Sequence, residues 1–170
     1  MDDDWQARAD ALWERFDEFE PEAFVEAMRQ LVAELPAGSA VGAFELAGAY
    51  DSTGGTDRAV PLYREALSRT AEVAGSGERA TALDASQRRQ ATIQLASSLR
   101  ALGHVDESIE LLSAERAAAS DELDDAVTGF LALALVHAGR EREAAALTLT
   151  ALAAHLPRYR RSLTAYATEL

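Results

Sequence analysis

Cysteine and lysine are both missing from this chain, and histidine appears only three times in 170 residues. The lack of cysteine excludes disulfides, thiolate nucleophiles and Cys-based metal sites. No two histidines stand four apart and no HExxH occurs, so a helical zinc site has no ligand pair. His104 follows a turn glycine and His155 ends a helical pattern, where positive charge is favoured, so both read as structural. Four prolines and ten glycines leave little room for a β-rich or disordered chain. The longest apolar run, FLALALV (130–136), is far short of the roughly 20 residues that span a bilayer. The N-terminal MDDDWQ lacks the basic and apolar regions of a signal peptide. A soluble cytoplasmic protein is the expectation.

Positive charge is scarce too. The net charge is −13, and arginine is the only strongly basic residue. Such a chain repels phosphate backbones and anionic lipid, so neither nucleic acid nor membrane is an expected partner. The exclusive use of arginine reads as codon bias from a GC-rich genome. Arg158, Arg160 and Arg161 form one small basic patch, suited to an acidic helix of this chain or of a partner.

What the chain does have is apolar and small. Hydrophobic residues make up 48% and aromatics only 6%, with alanine abundant. Small side chains let helices approach closely and lose no rotamer entropy, so the expected fold class is all-α. Trp5, Ala9, Leu12, Trp13 and Phe16 recur at steps of three and four over 4–18, one face of a helix. Pro21 suits the first turn of a second helix carrying Phe24, Met28, Leu31 and Leu35. Trp5, Trp13 and Phe16 are expected to pack on that second helix, with an exposed aromatic surface as the alternative. Further helices are expected over 39–52, from Thr56 or Asp57, from Asp84 to about Leu102, from Asp106, from Ser120-Asp121, over 141–155, and from Pro157. Asp84 and Gln87 have capping-box spacing. The last helix places Tyr159, Leu163 and Tyr166 on one side. No strand is needed.

Three stretches repeat one plan: FELAGAYDSTGGTDRAVPLYREAL (44–67), IQLASSLRALGHVDESIELLSAE (93–115) and GFLALALVHAGREREAAALTLTAL (129–152). Each is an apolar helical pattern, a glycine-containing break and a second apolar helical pattern. These stretches resemble tetratricopeptide (TPR) repeats, units of about 34 residues built as helix A, turn, helix B. Aligned on Gly54, Gly103 and Gly139, the registers begin near Ala40, Arg89 and Asp125. The large-small pair of helix A then falls on Leu46-Ala47, Leu95-Ala96 and Leu131-Ala132, and its later large position on Tyr50, Leu99 and Leu135. The small position where helix B crosses helix A falls on Ala59, Ser108 and Ala144. Glu115 stands where a small residue belongs, and Thr148 where a large one does.

The resemblance covers about 40–156. It implies a TPR-like right-handed α-solenoid of about four antiparallel helix pairs plus a C-terminal capping helix. The expected divisions are a degenerate N-terminal pair over 1–38, repeats over 39–71, 85–120 and 121–156, an inserted loop over 72–84, and a cap over 157–170. The chain is most similar to a small bacterial TPR family of unassigned role, which implies homodimerisation as one possibility.

Stacked TPR pairs line a concave face with helix A. In this register that face takes Val41, Phe44, Gly48 and Asp51, then Gln90, Ile93, Ser97 and Arg100, then Gly129, Leu133 and His137. Ala126 and Val136 belong to the same stripe. The groove is expected to be mainly small and apolar, with depressions at Gly48 and Gly129 that large side chains enter. A chaperone-type carboxylate clamp is not expected, because Phe44 and Gly48 occupy clamp-like positions and lysine is absent.

Nothing in the chain supports catalysis or a cofactor. The carboxylates at Asp121–Asp125 and Asp17–Glu22 lie at helix boundaries, Gly75-Ser76-Gly77 is too short to cradle phosphate, and Ser97-Ser98 has no neighbouring histidine. The implied function is a protein-interaction scaffold that binds a peptide or helix in its concave groove. The alternative is a self-assembling protein whose groove is filled by a second copy.

Overall fold

The computed structural model describes residues 3–73, 82–118 and 120–170. Among them are nine α-helices, one 3-10 turn and no strand. The helices are α1 (Asp3–Glu14), α2 (Pro21–Val32), α3 (Ala40–Ser52), α4 (Thr56–Val73), α5 (Ala85–Ala101), α6 (Val105–Ala118), α7 (Asp124–His137), α8 (Glu141–His155) and α9 (Arg160–Ala167), with the 3-10 turn at Phe16–Glu18. The chain divides into two compact units, 1–98 and 99–170. The division falls inside α5, within the segment read as the second repeat. No described helix is long and apolar enough to cross a membrane.

Local sequence sets most helix ends. Ser39 caps α3, its hydroxyl accepting from the Gly42 amide at 3.2 Å. Asp84 and Gln87 form the expected reciprocal box: the Gln87 amide donates to Asp84 at 2.8 Å, and the Asp84 amide donates to Gln87 at 3.1 Å. The three repeat turns close identically. Gly54, Gly103 and Gly139 all have positive φ, which only glycine adopts without strain. Beyond each, one amide reaches back to the helix: Gly55 to the Tyr50 carbonyl at 2.7 Å, His104 to Leu99 at 2.9 Å, and Arg140 to Leu135 at 2.9 Å. The register aligned on those glycines is thus a shared backbone geometry.

Helices α1 and α2 end earlier than the sequence reading has them, at Glu14 and Val32, and three helix starts also differ. Helix α6 begins at Val105, which puts Asp106 in the first turn, where its charge meets the helix dipole, and not at the cap. Helix α7 begins at Asp124, because Ser120 to Leu123 form a turn in which Asp121 accepts from the Leu123 amide at 2.7 Å. Helix α9 begins at Arg160, after Tyr159 at φ 68, and leaves Tyr159 and Tyr166 exposed. Glycines 75 and 77, with most of the expected 72–84 insertion, lie outside the described residues.

In unit 1–98 the first helix pair is built on aromatics. Trp5 is buried and its indole donates to the Leu31 carbonyl at 2.9 Å, which ties α1 to the end of α2. Trp13, Phe16 and Phe19 surround the buried Phe24, with ring centroids 4.8–5.9 Å from it. Alanines carry the closest helix approaches: Ala47, Ala59 and Ala66 have no exposed surface to spare, and α3 packs along α4. In unit 99–170, α6 packs on α7, α7 on α8 and α8 on α9. Leu112, Val127, Leu135 and Ala144 form its buried interior, and Glu115 is buried with them. Each fully buried large aliphatic side chain contributes about 1.5–3 kcal/mol through removal from water.

Candidate functional site: an acidic cleft in the first unit

A cleft of about 450 Å³ opens within unit 1–98, between α1, α3, α4 and the first turns of α5. Helix α3 is its floor. Phe44, Glu45, Gly48 and Asp51 recur at steps of three and four, so one stripe of the helix faces the cleft. Helix α1 supplies Gln6, Asp10 and Trp13 as one wall. Helix α5 supplies Gln87, Gln90 and Gln94 as the other, and Tyr63 of α4 closes the base. Among the described residues, no arginine or histidine lines it.

The position of Trp13 depends on Gly48. A Cβ built at Gly48 would lie 3.1 Å from the Trp13 ring, tighter than ordinary packing, so glycine lets the indole lie against α3. The indole N–H then donates to Glu45 at 2.7 Å. Trp13 therefore has two roles that the sequence offered as alternatives. Its ring packs on Phe24 and stacks on Phe16, and the same side chain lines the cleft. The depression expected at Gly48 is filled by this chain's own tryptophan.

Glu45 is the unusual member of the site. Its side chain is only 7% exposed, yet no salt bridge reaches it among the described residues. Burial pushes its carboxyl above the usual range; hydrogen bonds from Trp13 and Gln6 offset part of this, and the charge of Asp10 adds to the upward push. Burial also raises the Tyr63 hydroxyl well above its ordinary value, helped by the charges of Asp51 and Glu45, so it stays a neutral phenol. Two further acceptors are unsatisfied: Gln6 Oε1 and Gln94 Oε1 are buried without a hydrogen-bond partner. The amide nitrogen of Gln6 donates to Asp10 at 3.0 Å, and that of Gln90 to Ser86 at 3.1 Å. The cleft therefore has surplus acceptors and negative charge.

Of the residues read from sequence as concave, Phe44, Gly48, Asp51 and Gln90 come together here. Val41 and Ile93 do not: they are 1% and 5% exposed and belong to the core. Phe44, expected as a surface residue, is likewise buried, and meets Tyr63 at 6.3 Å between ring centroids. Ser97 is half-buried and outside the cleft lining. In unit 99–170, Arg100 lies 3.2 Å from the His137 ring, Leu133 and Val136 are exposed, and the space at Gly129 is open. The lining of the first unit's cleft is polar and acidic, where the sequence reading expected a small, apolar groove.

Sequence reasoning missed Glu45, Gln6, Asp10, Gln87 and Gln94. A signal existed for Glu45, which precedes Gly48 by three residues and so shares its helix face. Nothing in the repeat pattern told which way the α1 wall would lean.

Elsewhere the charged clusters act locally. Asp124 accepts from the Ser120 hydroxyl at 2.5 Å at the start of α7, and His155 pairs with Asp125 at 2.8 Å. Among the described residues no group of three His, Cys, Asp or Glu is arranged to hold a metal.

Comparison with known proteins agrees with this architecture. The nearly identical TPR-like repeats of a Podosopora anserina protein, provisionally designated a kinesin light chain, superpose in their crystal structure with a TM-score of 0.71. The match has 22% identity and covers 99% of this chain and 88% of that one. A singly substituted form of the same repeats gives 0.71 and 22%, over 96% of this chain and 84% of that one. No curated protein matches. The profile of the family described as Tetratrico peptide repeat matches residues 40–170. With the shared turn geometry of Gly54, Gly103 and Gly139, that match shows that the chain belongs to the tetratricopeptide-repeat family.

Proposed function

We propose that this chain is an interaction scaffold whose cleft in unit 1–98 receives an extended segment of a partner protein. The observation that carries this reading is the combination of a well-packed frame and a polar cleft lining. Trp13, Phe44 and Tyr63 are fixed by core packing, while Asp51 and Gln90 remain accessible in the same 450 Å³ space. Ordered walls with free hydrogen-bonding groups are what a peptide-binding site needs, because little entropy is lost in the protein when the ligand arrives. TPR proteins in general are interaction scaffolds, and the cleft gives this one a place to hold a partner.

A linear peptide library displayed on phage tests the reading without a partner having to be named in advance. Wild-type protein should enrich binders, and Gln90→Trp, which fills the cleft, should weaken them about tenfold or more, the loss of one to two well-placed contacts. Circular dichroism of the variant should be unchanged. Binders that hold equally well to the filled variant would place the interaction on another surface.

A further inference from the structure

We propose that the cleft of unit 1–98 recognises an arginine side chain on the partner segment, held by Glu45 and Asp51 and set against the face of Trp13. This rests on the reading of the cleft as the partner site, and specifies the chemistry of what enters it.

The first argument is the buried carboxylate. An ionised group in a protein interior normally has a partner of opposite charge, because its lost hydration is otherwise uncompensated. Among the described residues Glu45 has neutral partners only, Trp13 and Gln6. A glutamine in its place would accept the same Trp13 hydrogen bond without a buried charge. A carboxylate buried among neutral partners opposes local stability whenever it is charged, and such a group is a sign of function.

The second argument is the donor–acceptor balance. Asp10, Glu45 and Asp51 lie around one space together with the side chains of Gln6, Gln90 and Gln94, and no cation among the described residues lines it. The complementary ligand brings several N–H donors and a positive charge. Guanidinium has five donors in one plane, spreads its charge and stacks on aromatic rings. An ammonium concentrates three donors at a point and is more strongly hydrated, which suits a single carboxylate better than a set of dispersed acceptors. Trp13 is the cleft aromatic with accessible surface, since Phe44 and Tyr63 are 7% and 1% exposed.

The third argument concerns which molecule carries the arginine. With a net charge of −13, two copies of this chain repel each other, while a basic segment is attracted. The occupant is a segment of a different protein.

The test uses acetyl-Gly-Arg-Gly-amide as probe, with citrulline and lysine counterparts, followed by the indole N–H resonances of Trp13 and Trp5 in the full chain. The arginine probe should shift the Trp13 signal and leave Trp5 still, saturating at roughly millimolar concentration as befits one side chain. Citrulline, the same shape without charge, should bind about tenfold more weakly or not at all, and lysine should be several-fold weaker. Glu45→Gln and Asp51→Asn should each weaken the arginine probe about fivefold to tenfold while the folded spectrum persists. Equal binding of citrulline, equal binding of lysine, or undiminished binding by Glu45→Gln would overturn the assignment. Sedimentation showing a dimer that Glu45→Gln dissociates would overturn it in favour of a second copy. Library peptides lost on Gln90→Trp but devoid of arginine would leave the cleft as partner site and remove only the arginine.

Discussion

Helices α3 and α7 occupy the same place in the first and third repeat registers, yet the same stripe meets different surroundings on each. On α3 the equivalent positions are Gly48 and Asp51, and Trp13 of α1 lies against the glycine. On α7 they are Leu133 and Val136, which are 50% and 47% exposed. The repeat thus fixes where a side chain stands along the helix but not what meets it. In the first unit an extra wall, α1, converts a repeat face into a polar cleft. In the second, the corresponding stripe is apolar and open, and Gly129 faces empty space where Phe44 is buried.

The comparison can be broken at several positions. Phe44→Ala should have the largest effect, a loss of about 3–5 kcal/mol as a buried aromatic leaves a cavity beside Tyr63, while Leu133→Ala should stay within about 0.5 kcal/mol. Denaturant melts of the two variants check it. Next comes Gly48→Leu, which installs on α3 the side chain that α7 carries. Trp13 must be displaced, so a loss of about 1–3 kcal/mol from overpacking is expected. A shifted Trp13 indole signal should accompany it.

Glu45→Gln acts in the other direction. Because burial raises the folded-state value of Glu45, the folded chain holds this proton to higher pH than the unfolded chain does. Stability from this group therefore falls as pH rises from the ordinary glutamate value through the folded one, and remains reduced above it. Asp10, Asp51 and Tyr63 face the same space, and the charges of Asp10 and Asp51 remain in the variant. Glu45→Gln should raise the thermal midpoint near neutral pH, with the gain vanishing in acid. A variant less stable than wild type at neutral pH would show that the carboxylate serves folding. Among the destabilising changes within unit 1–98 the smallest effect belongs to Asp84→Ala, about 1 kcal/mol from loss of the α5 capping box that positions Gln87, read by thermal denaturation.

These contrasts also show what the amino-acid sequence makes legible. The repeat register was readable because turn glycines and small crossing residues answer to local backbone geometry: Gly54, Gly103 and Gly139 close the same hydrogen bond, and Ala47, Ala59, Ala96 and Ser108 are fully buried. The direction in which α3 and α5 residues face was only half readable. Val41 and Ile93 share the concave stripe by spacing, but neighbouring helices cover them, which is tertiary packing that periodicity does not encode. Gly48 looked like a depression for the same reason. Its occupant, Trp13, lies 35 residues earlier, in a segment whose repeat character is too weak to be placed by register. The charge of the site was hidden because Glu45, alone in a sequence rich in exposed carboxylates, looks like any solvated one.

The most direct measurement is the set of intermolecular nuclear Overhauser contacts between the arginine side chain of a bound peptide and the aromatic and methyl protons of this chain. Contacts are expected from the arginine δ and ε protons to Trp13, with none to Leu133 or Val136, and they should be lost in Glu45→Gln. Contacts to the Leu133 and Val136 methyls, with Trp13 silent, would contradict this expectation.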